Sequence, residues 1–341
     1  MSNALPTLCF VVPALDGPIS GGTSYNRELC RALAEYPCRV LVCSLEDAQL
    51  ESFVAAARHT FVDTLYLDAF PELARRVRGA GGSATLLTHY LPALVTAGRA
   101  VDESELGASE SRALAAADAL LVTSDFMCRA MTRLTSSRIF VIEPGSRAQL
   151  AAFSASSTHL RAIAIANLVP GKGIAPLLRG FAAALHDDDP LELSIVGRLD
   201  AEPAYAAHCR RLIDASSVLA HRVTLRGPMS PEQTQLALAD AELFVSASSM
   251  ESYGMALAEA RITGVPIIAC SGGHSAAHVE VEAGGQLVAS PRELADACVA
   301  LARNAADRAE RRARARRHAP LARSWARAAT ELLDQLARHE K

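Results

Sequence analysis

The residues best suited to chemistry lie in the segment SASSMESYGMALAEARITGVPIIAC, at 246–270. A strand pattern ends in a serine-rich loop, Gly254 opens a helix pattern, and a second strand pattern follows Gly264. At such a helix start the amides of Gly254, Met255 and Ala256 have no intrahelical partners. These donors, together with the positive end of the helix dipole, suit a diphosphate.

Two glutamates flank this helix start. Glu259 lies slightly more than one turn inside the helix, where a carboxylate can accept hydrogen bonds from the two hydroxyls of a ribose. Glu251 lies in the preceding loop, within reach of a sugar attached to the same phosphates. The spacing of eight residues alone has little weight, because glutamate is common. The combination of strand, loop, glycine-opened helix and second strand carries the prediction.

This segment resembles the E-x7-E signature of retaining glycosyltransferases of the GT-B fold, family 4, and the resemblance runs from about residue 8 to 330. It implies transfer of a sugar from a nucleoside-diphosphate sugar. The segment ANLVPGKGIAPLLRGFAAAL, at 166–185, is similar to the family's loop in which a lysine meets the donor diphosphate, matched here by Lys172. The glycines on either side of Lys172 allow close backbone approach, while the ammonium neutralises phosphate charge.

Two segments of the first half resemble further parts of the family's donor site. In PALDGPISGGTSYNRELCRAL, at 13–33, Gly21 and Gly22 match the family's Gly-Gly loop. In LLTHYLPAL, at 86–94, His89 stands at a strand end, where the family often has a histidine beside the donor sugar. The resemblance therefore gives Lys172, Glu251 and His89 catalytic roles and places the other matched residues in donor binding.

The sequence departs from the family pattern at two positions. The family usually has an arginine five residues before the lysine, where this chain has Asn167. Either one diphosphate cation is missing or another replaces it, and Arg198 is a candidate that joins Asn167 in the predicted donor site. Where the family tends to have a glutamate, this chain has Ala276, with His274 and His278 nearby. The donor pocket is therefore altered or the activity lost, and the intact lysine and glutamates favour activity.

Short apolar strand patterns alternate with helical patterns along almost the whole chain. Near-continuous apolar strands separated by helices indicate parallel sheets that are covered on both faces. The predicted strands lie at 8–15, 38–45, 64–68, 84–91, 119–124 and 139–145, and then at 162–168, 191–197, 223–227, 243–249, 266–270 and 285–288.

The predicted fold class is α/β, with two Rossmann-like doubly wound domains and an interdomain cleft of the GT-B type. We expect an N-terminal acceptor-side domain at 1–150 and a C-terminal nucleotide-sugar domain at 151–305. The stretch 146–159, rich in small polar residues, is the predicted linker. We expect the helices of 306–341 to cross back to the N-terminal domain.

Composition limits the partners. A net charge of −3 disfavours a general nucleic-acid role, and no leader pattern or membrane span is evident, so we expect a cytoplasmic protein. The arginine-rich stretch 307–327 favours a solvated amphipathic helix and leaves open a weak peripheral membrane contact. No acidic pair lies in a loop suited to a metal, since Asp187, Asp188 and Asp189 fall at the opposite end of the predicted sheet. We expect neither a metal nor a cofactor.

Other functions stay open on this architecture. A sugar-nucleotide epimerase, a phosphorylase and a catalytically weak nucleotide-sugar binding protein are the alternatives to a glycosyltransferase. A dehydrogenase is disfavoured, because no G-x-G-x-x-G follows the first strand of either half. The sequence does not distinguish uridine from guanosine donors, nor a small-molecule acceptor from a glycan or a lipid-linked one.

Overall fold

The computed structural model describes residues 6–151 and 158–339. The chain divides into two compact units: unit 1 comprises Met1–Gly145 with Arg323–Lys341, and unit 2 comprises Ser146–Ala322. Each unit contains a six-stranded sheet in which every pairing is parallel, with helices between the strands. The predicted α/β class with two parallel sheets is confirmed.

The helices and strands have the following bounds. The strands are β1 Thr7–Val11, β2 Arg39–Cys43, β3 His59–Asp63, β4 Ser83–Thr88, β5 Ala119–Val122, β6 Arg138–Val141, β7 Leu160–Ile165, β8 Leu191–Val196, β9 Val223–Gly227, β10 Leu243–Ser246, β11 Ile267–Cys270 and β12 Gln286–Val288. The α-helices are α1 Gly21–Leu33, α2 Leu50–Ala56, α3 Phe70–Gly79, α4 Pro92–Ala97, α5 Ala108–Ala116, α6 Asp125–Thr132, α7 Ile174–Ala184, α8 Pro203–Asp214, α9 Ser217–Arg222, α10 Pro231–Asp240, α11 Met255–Thr263, α12 Pro291–Ala302, α13 Ala305–Arg317 and α14 Trp325–His339.

Both sheets are doubly wound. The strand order in unit 1 is β2-β1-β3-β4-β5-β6, so the chain reverses direction across the sheet between β1 and β3. The order in unit 2 is β12-β11-β10-β7-β8-β9, which puts the reversal between β7 and β10. In open α/β sheets, ligands bind outside the carboxyl ends of the strands at such a reversal point. The loops that follow β1, β3, β7 and β10 are therefore the first places to look for function.

The sheet of unit 2 has an apolar core on each face. Alternate residues of β7 show this, because Ala162 and Ala164 pack in one buried cluster and Ile163 packs in the other. The larger cluster contains Phe181 of α7 and Leu294 of α12. Burial on both faces explains the near-continuous apolar strands from which parallel sheets were predicted.

One predicted strand is wrong. The segment TLYLD, at 64–68, begins with a 3-10 turn over Thr64–Tyr66, and the strand of this region is β3. The Asp63 carboxylate accepts a hydrogen bond from Leu65 N at 2.9 Å and so turns the chain directly after β3. The alternating leucines mimic a strand pattern, whereas the buried run HTFVD forms the strand itself.

The C-terminal helices belong to different units. The arginine-rich α13 lies in unit 2, and α14 lies in unit 1. Most arginines of 307–327 bond to protein groups; for example, Arg312 pairs with the buried Glu242 at 2.9 Å, and Arg316 donates to Ala151 O at 2.7 Å. The arginines thus fasten α13 to its own unit, and a membrane contact through this helix stays a prediction. Within the predicted linker, 152–157 lies outside the described residues.

No helix within 6–151 and 158–339 combines the length and the apolar character that crossing a bilayer requires.

Candidate functional site

Lys172 lies in a 3-10 turn of the loop that follows β7, at the reversal point of the unit 2 sheet. The next residue, Gly173, has a φ of 66°, and a Cβ there would collide with the carbonyl oxygen of Ala247. Only glycine therefore fits between the two loops. Ser249 N donates to Gly171 O at 3.0 Å, which joins the loop after β7 to the loop after β10.

Glu251 reaches Lys172 from the loop after β10. Lys172 Nζ donates to Glu251 Oε1 at 2.6 Å, and the two side chains are 32% and 15% exposed. His274 N in turn donates to Glu251 O at 2.7 Å, and Glu251 forms an isolated parallel bridge with Gly273. The loops that follow β7, β10 and β11 thus meet around one accessible ion pair.

Helix α11 begins at Met255, four residues after Glu251. Gly254 caps it with a φ of 90°, a conformation that favours glycine, and contributes its carbonyl to the first helical hydrogen bond, from Ala258 N. Met255 and Ala256 form the first turn, whose amides lack intrahelical acceptors. The structure therefore gives the predicted helix start, with its free amide donors, beside the ion pair.

Glu259 lies in the second turn of α11. Burial raises the pKa of its carboxyl to about 7, and no described group compensates by donating a hydrogen bond to that carboxylate. The Glu259 carbonyl has an ordinary role, since it accepts a hydrogen bond from Thr263 Oγ1 at 2.8 Å. Because no described group donates to the Glu259 carboxylate, its oxygens are available to accept hydrogen bonds from a ligand.

Asn167 and Arg198 follow the neighbouring strands β7 and β8. Asn167 Oδ1 accepts a hydrogen bond from Arg198 N at 3.0 Å, so the amide joins the two loops. The Arg198 guanidinium donates to both carboxylate oxygens of Asp200, at 3.0 and 3.2 Å. Arg198 is therefore a cation near the carboxyl end of β8, and the Asp200 carboxylate already balances its charge.

The departure at Ala276 coincides with an aromatic cluster. Ala276 itself is exposed in a 3-10 turn. His278 is buried, donates from Nε2 to Tyr253 O at 2.7 Å, and packs edge-on against the Tyr253 ring. The His274 ring stacks on the Tyr253 ring, with 5.6 Å between the ring centroids. Burial lowers the pKa of His278 to about 4, so this histidine is neutral and supports the backbone just before Gly254.

The residues predicted in unit 1 also meet. Gly21 and Gly22 open α1, whose N-terminus is capped by Ser20. A Cβ on Gly22 would lie 3.2 Å from His89 Cδ2, so the Gly-Gly loop and the histidine are in van der Waals contact. His89 directly follows β4. Burial lowers its pKa, against the opposing effect of Asp63.

Two functional candidates of unit 1, Asn26 and Asp63, have no clear signal in the sequence. Asn26 Nδ2 donates to Asp63 Oδ2 at 2.8 Å, and Asn26 Oδ1 lies 2.7 Å from His89 Nε2. Both residues are almost completely buried. The only available signal was the position of Asn26, one turn after Gly22 on the same helix, and the position of Asp63 at a strand end.

Among the described residues, no group of three or more histidine, cysteine, aspartate or glutamate side chains is arranged to hold a metal ion. Asp189, one of the three consecutive aspartates, is instead ion-paired with Arg303 at 2.6 Å.

Comparison with known proteins gives a family match in unit 2 and structural matches over both units. A family model described as "Glycosyl transferases group 1" matches residues 160–304, the segment that contains Lys172, Glu251 and Glu259. The two six-stranded parallel sheets match solved glycosyltransferase structures over nearly the whole chain. Together these matches support a GT-B fold with a group 1 glycosyltransferase domain in unit 2. The sequence matches none of the curated proteins.

Three solved structures illustrate the likeness. HepE from Anabaena, in complex with UDP and glucose, aligns with a TM-score of 0.74 at 16% identity, over 98% of this chain and 100% of that one. Sucrose-phosphate synthase from Thermosynechococcus elongatus gives 0.75 at 20% identity, over 98% of each chain. A glycosyltransferase from Rickettsia africae gives 0.69 at 14% identity, over 99% of each. At these identities the likeness is one of fold.

Proposed function

We propose that the protein is a retaining glycosyltransferase that moves a sugar from a nucleoside-diphosphate sugar to an acceptor hydroxyl. The observation that carries the proposal is the Lys172–Glu251 contact beside the start of α11, at the reversal point of the unit 2 sheet. A cation, free amides and a carboxylate at one strand edge match the charges of a diphosphate joined to a polyhydroxyl group. The HepE structures, which contain UDP with glucose or UDP-glucose, are consistent with such a donor.

The diphosphate is the leaving group, and its growing negative charge has to be stabilised. Lys172 and the amides of Gly254, Met255 and Ala256 supply that stabilisation in this proposal. Arg198 becomes a second cation only if the diphosphate draws it away from Asp200. Asn167 then acts through its hydrogen bond to Arg198 N, which holds the loop. Because these groups are cations and dipoles, we propose that transfer needs no metal.

The two glutamates have separate roles in this proposal. Glu259 accepts hydrogen bonds from the ribose hydroxyls, for which its uncompensated carboxylate is suited. Glu251 contacts the transferred sugar once Lys172 turns from the carboxylate to the diphosphate. The exchange is possible because both side chains are partly exposed.

In unit 1 we assign Gly21, Gly22 and His89 to the sugar substrate. The glycines leave space beside the His89 ring, since a Cβ on Gly22 would already touch it. Retention of configuration means that the acceptor hydroxyl attacks from the face that the diphosphate leaves. The departing phosphate oxygen is then placed to take the hydroxyl proton.

A thermal-shift panel of UDP- and GDP-sugars tests the proposal first, because a ligand at 100 times its Kd stabilises the fold by about 2.7 kcal/mol. The sugar that stabilises most is then incubated with candidate acceptors, and the products are identified. A glycosylated acceptor is the expected product. Isomerisation of the sugar without an acceptor would indicate an epimerase. A requirement for inorganic phosphate would indicate a phosphorylase, and binding without turnover would indicate a nucleotide-sugar binding protein.

A further inference from the structure

His89 is held by a buried chain of hydrogen bonds whose polarity can be assigned. A carboxylate only accepts hydrogen bonds, so the group of Asn26 that lies 2.8 Å from Asp63 Oδ2 must be the amide nitrogen. The Asn26 oxygen therefore faces His89 Nε2, at 2.7 Å. An amide oxygen only accepts, which places the imidazole proton on Nε2.

Asp63 in turn is fixed by the backbone. Its Oδ1 accepts from Leu65 N at 2.9 Å, while its Oδ2 accepts from Asn26. Its side chain is 3% exposed. A buried carboxylate that lost these hydrogen bonds would destabilise the fold, so the Asp63 side chain has one stable orientation. Because Asp63 accepts from Asn26, the amide of Asn26 also has one stable orientation.

The other ring nitrogen of His89 remains available. Among the described residues no group bonds to Nδ1, and Nδ1 is not one of the fully buried polar atoms without a partner. Solvent therefore reaches Nδ1, although the side chain is only 9% exposed. The titratable groups that face the ring are Asp63 from β3 and Tyr25 from α1, whose ring packs edge-on at 5.1 Å. Burial raises the pKa of Tyr25, so it stays neutral, and the pKa of His89 is lowered.

We infer that Asn26 and Asp63 are positioning residues that fix His89 as the Nε2–H tautomer, so that Nδ1 accepts a hydrogen bond from a sugar hydroxyl. The second half of this inference rests on the proposed function, whereas the tautomer does not. The inference also predicts specificity. The site should bind a sugar that has a hydrogen-bond donor at the position facing His89, and it should reject a sugar that has only a hydrogen-bond acceptor there.

Nitrogen-15 NMR of the full chain tests the tautomer without any activity. The protonated and bare ring nitrogens of a histidine differ strongly in chemical shift, and a His89→Gln spectrum assigns the His89 signals. We expect one neutral tautomer with the proton on Nε2. Asp63→Asn keeps the side-chain size but removes the reason for the orientation of Asn26, so it should give a mixture. Protonation on Nδ1 in the parent protein would overturn the inference.

Donor analogues test the direction of the hydrogen bond. With the nucleotide sugar that gives the largest thermal shift, each sugar hydroxyl is replaced in turn by hydrogen or fluorine, and binding is measured by calorimetry. Fluorine cannot donate a hydrogen bond, so at the position that meets His89 both analogues should bind about tenfold more weakly, and His89→Ala should erase the difference. A fluoro analogue that binds like the parent sugar at every position would exclude a donor hydroxyl.

Kinetics distinguish positioning from a general structural role. Asn26→Ala and Asp63→Asn should each lower kcat about tenfold, with little change in the donor KM, but cause no further loss in a His89→Ala background. Additive losses in that background would contradict an action through His89. An absence of turnover with every nucleotide sugar, combined with the expected NMR spectrum, would reject the proposed function and leave the tautomer assignment intact.

Discussion

The strand ends at the reversal points of the two sheets differ in their chemistry. In unit 2 the loops bring together opposite charges and a helix N-terminus, with Lys172 on Glu251 beside Gly254. In unit 1, α1 and the end of β3 supply a buried amide and a buried carboxylate, which hold a neutral histidine at the end of the next strand, β4. The first arrangement suits recognition of a charged diphosphate, and the second suits orientation of an uncharged hydroxyl. Four substitutions test this difference, from the largest expected effect to the smallest.

Lys172→Ala should have the largest effect. Losing a charge-assisted contact costs about 1.5–3 kcal/mol, so nucleoside-diphosphate affinity should fall about 10- to 100-fold. Binding of the bare nucleoside should change little. Calorimetry with both ligands checks this. Arg198→Ala is the matched comparison, because Arg198 is a paired cation that follows β8, whereas Lys172 lies beside Glu251 and the start of α11. Unchanged diphosphate affinity in Lys172→Ala, or an equal loss in Arg198→Ala, would contradict the assignment of the main cation.

Glu259→Gln should weaken nucleoside diphosphate and nucleotide sugar by similar factors, because both contain the ribose. In the parent protein, affinity should rise up to about tenfold from pH 6 to 8, since the carboxyl pKa is about 7 and the ionised form is the better acceptor. The phosphate also titrates near pH 6, so the glutamine variant measures that background. A parent pH dependence equal to that of the variant would rule out Glu259 as the ribose ligand.

Glu259→Gln should weaken ligand binding but increase the stability of the fold at high pH. The folded protein retains a proton on Glu259 that the unfolded chain releases between about pH 4.5 and 7, so this carboxylate lowers the free energy of unfolding as pH rises through that window. Glu259→Gln should therefore be more stable than the parent at pH 8, by roughly 1–3 kcal/mol, and nearly equal to it at pH 4.5. Denaturant titrations at the two pH values measure the difference.

Glu251→Gln should tighten the binding of a bare nucleoside diphosphate while lowering the transfer rate. The parent diphosphate has to draw Lys172 away from Glu251, and a partly exposed ion pair of this kind is worth about 0.5–1 kcal/mol. We expect a two- to fivefold gain in affinity by calorimetry. Weaker diphosphate binding in the variant would show that Glu251 does not compete for the lysine.

The architecture and the helix start at Gly254 could be predicted because their signals are local. Apolar strand runs follow from burial on both faces. The family resemblance, and not local spacing, brought Lys172 together with Glu251, which is 79 residues away. The unit 1 network could not be predicted, because Asn26 is 37 residues from Asp63 and 63 from His89. The misplaced strand at 64–68 also hid Asp63, which stands at the true strand end.

Gly22→Ala should have the smallest effect. The new Cβ would lie 3.2 Å from His89 Cδ2, so the ring has to shift by a few tenths of an ångström. We expect a few-fold loss in transfer rate, with unchanged diphosphate affinity. Gly79→Ala is the control, because its Cβ meets open space in a helix of the same unit. An equal loss of activity in both variants would remove the link between the Gly-Gly loop and His89.

The most direct test of the proposed function is the fate of the donor sugar in excess EDTA. The nucleotide sugar with the largest thermal shift is incubated with the parent protein or Lys172→Ala, and NMR follows the anomeric signal of the sugar as it is released or transferred. We predict that the first product retains the donor configuration, forms in EDTA and depends on Lys172. An inverted first product, or turnover that stops in EDTA and resumes with magnesium or manganese, would contradict a retaining, metal-independent transfer.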